Sequence, residues 1–405
     1  MIIAFRSLFG SQYEGGANWQ EVTLASLCML PQPPKCLVLD AAPETLPETL
    51  RHAAHVEAVP LPRIVESRSV RAYKRLARRV QGRSWENPNL THIAARYKID
   101  LWVGFAAFDG LGTHRPLVIC YPDFQFRYFP ELFERGEVEE RERQWSYVAE
   151  HARGIFTISE ATAADALRSH PQIKDKLYVC GFPPVFKPEQ LTLDPGEVRR
   201  KYSLPERFFL VSNQFWEHKN HLLVFRALHH LKERGRTPPV VAFTGRPYDQ
   251  RRPEAFTRML MFVHAHGLHE YCRFLGVLPR DEQIALIRSA EAVVQPSKFE
   301  GRGAITEEAC LLGTQLLCSD LPTHRELDLP GAIFFDVDAV GELAELLERD
   351  YTHIDRDAHA VAAESRRLSR LYGERLLKVF ESVLQTPDTL PHPKPLASPT
   401  QEETG

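Results

Sequence analysis

The stretch Pro296-Ser297-Lys298-Phe299-Glu300-Gly301-Arg302-Gly303-Ala304-Ile305-Thr306-Glu307-Glu308-Ala309 joins a strand end, a glycine turn and a helix start to two carboxylates eight residues apart. Residues 291–296 read as a short apolar strand, Gly301 and Gly303 supply the turn, and residues 304–312 have helical composition. Backbone N–H groups then point out of a helix N-terminus, where the helix dipole favours a phosphate without a metal ion. If every intervening residue were helical, the rise from Glu300 to Glu308 would be roughly 12 Å, at about 1.5 Å per residue. A hydrolase carboxylate pair sits about 5 to 10 Å apart across one glycosidic bond. The longer span favours two carboxylates holding different hydroxyls of a long ligand with a phosphate between them, the shape of a sugar nucleotide. The same strand, glycine turn and helix recur in any doubly wound α/β protein, where Glu307 would be a solvated helix residue, and that reading stays open.

At 405 residues with 43% hydrophobic content, the chain can bury two cores, because single cores stop growing near about 250 to 300 residues. A formal charge of −3 gives no reason to expect a nucleic-acid partner. The seven cysteines are odd in number, scattered through apolar runs and free of C-x-x-C spacing, and they read as reduced core thiols. Met1-Ile2-Ile3-Ala4-Phe5 lacks the basic start of a signal peptide. No run approaches the roughly eighteen apolar residues of a membrane span, so a cytoplasmic protein is expected.

In the first half, strand-like runs at 2–5, 36–40, 100–105, 116–120 and 154–159 alternate with helical stretches at 19–30, 69–80 and 134–153. After a Pro-rich, charged stretch the series restarts, with strand-like runs at 208–211, 239–244, 272–275, 292–295 and 315–318 and helical ones at 221–233, 252–266, 282–290 and 304–312. This alternation predicts an α/β protein of two Rossmann-like, doubly wound domains facing a cleft. The expected divisions are a first domain at 1–190, a linker at 191–205, a second domain at 206–366, a helix at 367–385 and a disordered tail at 386–405. In such sheets ligands bind outside the carboxyl ends of the strands. The Glu300 loop lies at such an end, as do Gly15-Gly16, Tyr121-Pro122-Asp123 and residues 214–220. Among them Lys219 is the cation placed to pair with a diphosphate.

The second half resembles the retaining GT-B glycosyltransferases of family 4. Residues 211–221 resemble the family's phosphate loop ending in Lys-Asn, Arg273-Phe274-Leu275-Gly276-Val277-Leu278-Pro279 its F-L-G-x-L-P turn, and residues 296–309 its P-S-x-x-E-G-x-G and E-x7-E signature. Ser319-Asp320-Leu321-Pro322-Thr323-His324-Arg325-Glu326 resembles its S-D-I-P-x-H-R-E segment. In the first half Tyr121-Pro122-Asp123-Phe124-Gln125-Phe126 resembles the P-D-x-Q-H segment of some bacterial members, and residues 368–384 resemble the helix that crosses back onto the first domain. The resemblance implies that Glu300 holds the donor sugar's hydroxyls and Glu308 the ribose. It also implies that Lys219 contacts the diphosphate and that the backbone after Gly303, at Ala304 and Ile305, holds the distal phosphate. Asp123 joins Glu300 and Lys219 as a catalytic candidate, while Gly15, Gly16, Gln214, His218 and Arg302 join the donor set. Three departures stand out. The Arg that many relatives carry five residues before the Lys is Gln214, the His expected after Asp-x-Gln is Phe126, and Arg302 replaces the residue usual between the glycines.

The resemblance implies transfer of a hexose, mannose-type or similar, from a GDP- or UDP-linked donor to a glycan or lipid-linked acceptor in surface polysaccharide biosynthesis, with 1–190 as the acceptor domain, 206–366 as the nucleotide-sugar domain and 367–385 as the crossover helix. No cofactor and no metal are expected, because Asp336-Val337-Asp338 precedes a helix that Asp338 can cap. A catalytically silent GT-B subunit that binds a sugar nucleotide or a partner enzyme is the rival, motivated by Gln214 and Phe126. Residues 63–83 carry eight basic side chains against Glu66, a local charge of +7. They read either as a solvated helix or as a peripheral contact with the inner face of the plasma membrane.

Overall fold

The computed structural model describes residues 1–10, 14–60, 88–106, 115–352, 354 and 356–386. The helix expected at 69–80, the basic run at 63–83 and the tail beyond 386 lie outside the described residues.

Two parallel sheets carry the fold. The first has seven strands: β1 Ile2–Arg6, β2 Lys35–Leu39, β3 Val56–Val59, β4 Leu101–Phe105, β5 Leu117–Tyr121, β6 Gly154–Thr157 and β7 Leu177–Val179. Their order is β3-β2-β1-β4-β5-β6-β7. The second has six: β8 Phe208–Ser212, β9 Val240–Thr244, β10 Cys272–Gly276, β11 Ala292–Gln295, β12 Gln315–Ser319 and β13 Ile333–Phe335, in the order β10-β9-β8-β11-β12-β13. The central strands read as unbroken apolar runs because helices cover both faces of a parallel sheet. All five residues of β8 are buried, for example. Each sheet reverses its winding beside its first strand, between β1 and β4 and between β8 and β11. At such a switch point the two following loops part and leave a crevice.

The stretch expected as a linker at 191–205 is packed rather than free. Leu191, Val198 and Leu204 enter the second domain's core with Phe186, Leu210 and Ile284. Pro195–Lys201 is a helix whose N-cap, Asp194, accepts the N–H groups of Gly196 and Glu197. Proline and charge there mark a helix start.

The last helix, Ala358–Gln385, starts nine residues before the expected position 367. Its first turns bury Val361 and Ala362 in the second core, and its later turns bury Tyr372, Leu376, Val379, Phe380 and Val383 in the first. One continuous helix therefore fastens both domains. It lies so close to helix Glu14–Cys28 that a Cβ on Gly373 would sit 2.5 Å from the carbonyl oxygen of Ser26. Gly373→Ala gains helix propensity of about 0.5–1 kcal/mol, yet overpacking costs about 1–3 kcal/mol. Urea titration should show a net loss of stability, and a stabilised variant would contradict this packing.

Candidate active site

The two loops that part at the second switch point bring the central pair together. After β8 the chain runs through Phe215, buried in the core, into a short 3-10 turn at Glu217–Lys219. It leaves through Asn220 in the left-handed conformation, with φ of 57°. The Asn220 side-chain amide donates to the carbonyls of Pro296 (3.1 Å) and Val337 (2.9 Å), tying this loop to the one after β11. Lys219 Nζ consequently lies 2.7 and 2.9 Å from the two carboxylate oxygens of Glu300. Their side chains are only 14% and 9% exposed.

Glu300 is held by more than Lys219. Gln295 Nε2 donates to Glu300 Oε1 at 2.6 Å, and Gln295 Oε1 in turn accepts from Asn213 Nδ2 at 2.5 Å. Gln295 is the buried last residue of β11, so a strand end fixes the carboxylate. Burial alone would raise the Glu300 carboxyl. The Lys219 ammonium, with hydrogen bonds from Lys219 and Ser297, outweighs it and holds the group below the ordinary glutamate value. Across the cleft, the half-buried Asp123 accepts the Gln125 N–H at 2.9 Å. Burial pushes its carboxyl up, and both Glu300 and Lys219 lie near enough to act on it.

Gly301 and Gly303 serve different needs. Gly303 has φ of 83° and turns the chain into helix Ala304–Leu312. Gly301 stands where a Cβ would come within 2.8 Å of the Pro122 carbonyl oxygen, so it admits the first domain to the Glu300 loop. Ala304 and Ile305 open the helix, where N–H groups have no carbonyl one turn before them, the kind of arrangement that can receive an anion. Glu308, on the next turn, receives Arg280 Nη1 at 3.0 Å and Nη2 at 2.5 Å. Arg280 also donates to Gln283 (2.8 Å), whose amide donates to Ser212 at the end of β8 (2.6 Å). His324 is fully buried beside Gly303. Its Nδ1 donates to the Ser319 carbonyl (2.7 Å), which leaves Nε2 as the lone-pair nitrogen, and Nε2 has no partner among the described residues. Burial holds its pKa below the ordinary histidine value, opposed in part by Glu300. Gln295, Asn213, Arg280 and His324 were not singled out from the sequence as site residues.

Among the expected residues, Arg302, Glu307 and Asp338 are placed otherwise. Arg302 does not face the donor crevice: its guanidinium binds the Glu307 carboxylate through Nε (2.8 Å) and Nη2 (2.7 Å) and donates to carbonyls of the first half of the chain. Glu307 is thus a half-buried ion-pair partner instead of a solvated helix residue, with its carboxyl raised by desolvation. Gly15 and Gly16 occupy the first turn of helix Glu14–Cys28, at the carboxyl edge of the first sheet. His218 is buried inside its loop, where burial, then Lys219 and Arg251, keep it neutral. Gln214 is half-buried, and its carbonyl accepts the Trp216 N–H at 2.8 Å. Phe126 points into an aromatic cluster with Phe124 and Phe133. Asp338 does not cap the helix Val340–Glu348, whose N-cap is Ala339; its carboxylate takes Lys298 Nζ at 2.9 Å.

The chain is similar to several known proteins. Residues 197–354 match the family described as glycosyl transferases group 1. The serotype-specific mannosyltransferase WbdA of Escherichia coli is 26% identical over 229 residues, covering 54% of this chain and 27% of WbdA. The chain thus spans about a quarter of the length of the curated relatives it matches. Among solved structures, Anabaena HepE in complex with UDP aligns with a TM-score of 0.64 at 15% identity over 94% of this chain and 99% of that one. A glycosyltransferase from Rickettsia africae aligns with a TM-score of 0.64 at 11% identity, over 95% and 99%. WaaG, a glycosyltransferase involved in lipopolysaccharide biosynthesis, aligns with a TM-score of 0.58 at 15% identity, over 94% and 98%. The chain therefore has the GT-B fold, and its second domain is the part that matches glycosyl transferases group 1.

Proposed function

We propose that this protein is a retaining, metal-independent hexosyltransferase that moves a mannose-type hexose from a GDP- or UDP-linked donor to a glycan or lipid-linked acceptor in surface polysaccharide biosynthesis. The observation that carries the reading is the meeting of Lys219 and Glu300 at the switch point beside the N-terminus of helix Ala304–Leu312. An ammonium has three donors; two contacts go to Glu300 and one remains for a diphosphate oxygen. Lys219 and the helix N-terminus then neutralise the charge that develops on the leaving nucleoside diphosphate. Glu300 accepts sugar hydroxyls and Glu308 accepts the ribose, each carboxylate retaining lone pairs beyond those its cation uses. The leaving phosphate takes the acceptor proton on the same face, with Asp123 orienting the acceptor, so no histidine is needed at Phe126. WbdA, a mannosyltransferase, and WaaG, which acts in lipopolysaccharide biosynthesis, support the sugar and the setting. HepE, solved with UDP, supports the donor class.

The first test is turnover. Glu308→Gln, Glu300→Gln and Lys219→Ala should each lower it by about tenfold or more, since one charge-assisted contact is worth about 1.5–3 kcal/mol. Removing one partner of the buried pair strands the other charge, so the Lys219→Met/Glu300→Gln double variant serves as the fold control. It should melt near wild type while transferring no sugar. Wild-type rates in all of these would overturn the site, and nucleotide binding without transfer or donor hydrolysis by the wild type would favour a silent subunit. EDTA should leave turnover unchanged, whereas strict dependence on magnesium or manganese would refute the metal-free mechanism.

The basic run at 63–83 motivates a second part of the proposal, attachment to the anionic inner face of the plasma membrane, each engaged cation contributing on the order of 1 kcal/mol. Sedimentation with anionic liposomes should fall steeply as salt rises and be lost in Arg71/Arg75/Arg78→Glu. Binding indifferent to that triple change would exclude it.

A further inference from the structure

Arg302 is an unusual residue to bury, being only 13% exposed in its side chain, and its charge is matched by Glu307 on the helix that follows it. The guanidinium also reaches across the domain boundary, with its Nε–H shared between Glu307 and the far side. Nη1 donates to the Ile158 carbonyl just beyond β6 (2.8 Å), and Nε donates to the Phe182 carbonyl (3.1 Å). The first half of the chain is shaped for it: a Cβ on Gly181 would overlap the guanidinium. A second charged group reaches across nearby. The Glu326 carboxylate accepts the N–H groups of Glu160 (3.0 Å) and Ala161 (2.9 Å), the first two residues of helix Glu160–Ser169. An anion at a helix N-terminus satisfies amides that the helix cannot, and charge-assisted bonds are the stronger kind. Here the capping anion comes from the other domain.

We propose that Arg302, Glu307 and Glu326 form a two-point clasp that closes the domains on the donor loop, making them positioning residues for Glu300. The proposal rests on the donor-site reading above. Arg302 stands two residues from Glu300, with Gly301 between them pressed toward the Pro122 carbonyl. Both grips seize backbone of the first domain, so the clasp fixes where that domain's Asp123 loop meets the Glu300 loop without touching substrate. Opening the cleft for donor exchange breaks all of these contacts together, and closing it restores the approach of acceptor to donor. The planar fork matters: a lysine offers a point charge that cannot hold Glu307 and two carbonyls at once.

The test uses the full chain, with UDP and GDP as binding probes. Glu326→Ala removes one grip and Gly181→Ala displaces the other without changing any charge. Arg302→Met/Glu307→Gln removes the ion pair as a unit and avoids stranding a buried charge. In each variant hydrogen exchange at the Glu160 and Ala161 amides should quicken by about tenfold or more, and small-angle scattering should report a larger radius of gyration. Turnover should fall by about tenfold or more while nucleotide affinity stays within about threefold, because donor contacts belong to the second domain. Glu326→Asp, which retains the carboxylate, should recover part of both protection and turnover. Unchanged exchange and scattering would overturn the clasp, and so would a loss of nucleotide affinity matching the loss of turnover. Should the wild type transfer no sugar, exchange and scattering still decide the clasp, and the failure belongs to the functional reading alone.

Discussion

The contact on which the site depends is the ion pair between Lys219 and Glu300, two charges that are each less than 15% exposed. Taking a carboxylate and an ammonium from water costs several kcal/mol per ion, so such a pair persists only where geometry and extra hydrogen bonds offset the cost. The structure supplies them. Gln295 at the end of β11 and Asn213 just after β8 form an amide chain to Glu300, and Asn220 ties the two loops together. Both loops leave neighbouring strands at the point where the sheet reverses its winding. The fold therefore creates the crevice, and the polar chain keeps its two charged walls in register before any ligand arrives. Preorganisation of this kind lets a site stabilise developing charge without reorganising during the reaction.

The same logic extends outward. Glu308 meets Arg280 and Glu307 meets Arg302, so each of the three glutamates around the helix start has its own cation. Two of those pairs face the crevice and the third faces the other domain. In the proposed reading one short segment, residues 300–308, serves donor binding and domain closure at once. The long helix Ala358–Gln385 joins the two halves, because one continuous helix lies in both cores.

The sequence made the architecture legible because parallel strands buried on both faces announce themselves as apolar runs, and because the residues that meet a ligand sit in short loops directly after them. Lys219 and Glu300 could be picked out that way as candidates, and Glu308 by its eight-residue spacing from Glu300. Arg302 could not, since two of its partners are the carbonyls of Ile158 and Phe182, and backbone acceptors leave no mark in side-chain identity. Glu307 was misread for the same reason: its burial follows from where Arg302 goes. Residues 191–205 looked like a linker because proline and charge dominate, yet Leu191, Val198 and Leu204 were enough to pack the segment down. Asp338 looked like a helix cap until Lys298 claimed its carboxylate. Gln295 and His324 carried little signal, one as the last residue of an apolar strand and the other inside a motif that named no role.

The central claim is that a nucleoside diphosphate is held between Lys219 and the N-terminus of helix Ala304–Leu312. Calorimetric titration of GDP and UDP into wild type and into Lys219→Met/Glu300→Gln tests it most directly. The account predicts that one of the two nucleotides binds the wild type and that its affinity falls by about tenfold or more in the double variant, in line with the loss of a charge-assisted phosphate contact. Equal affinity in the two proteins, or no binding of either nucleotide to the wild type, would contradict it.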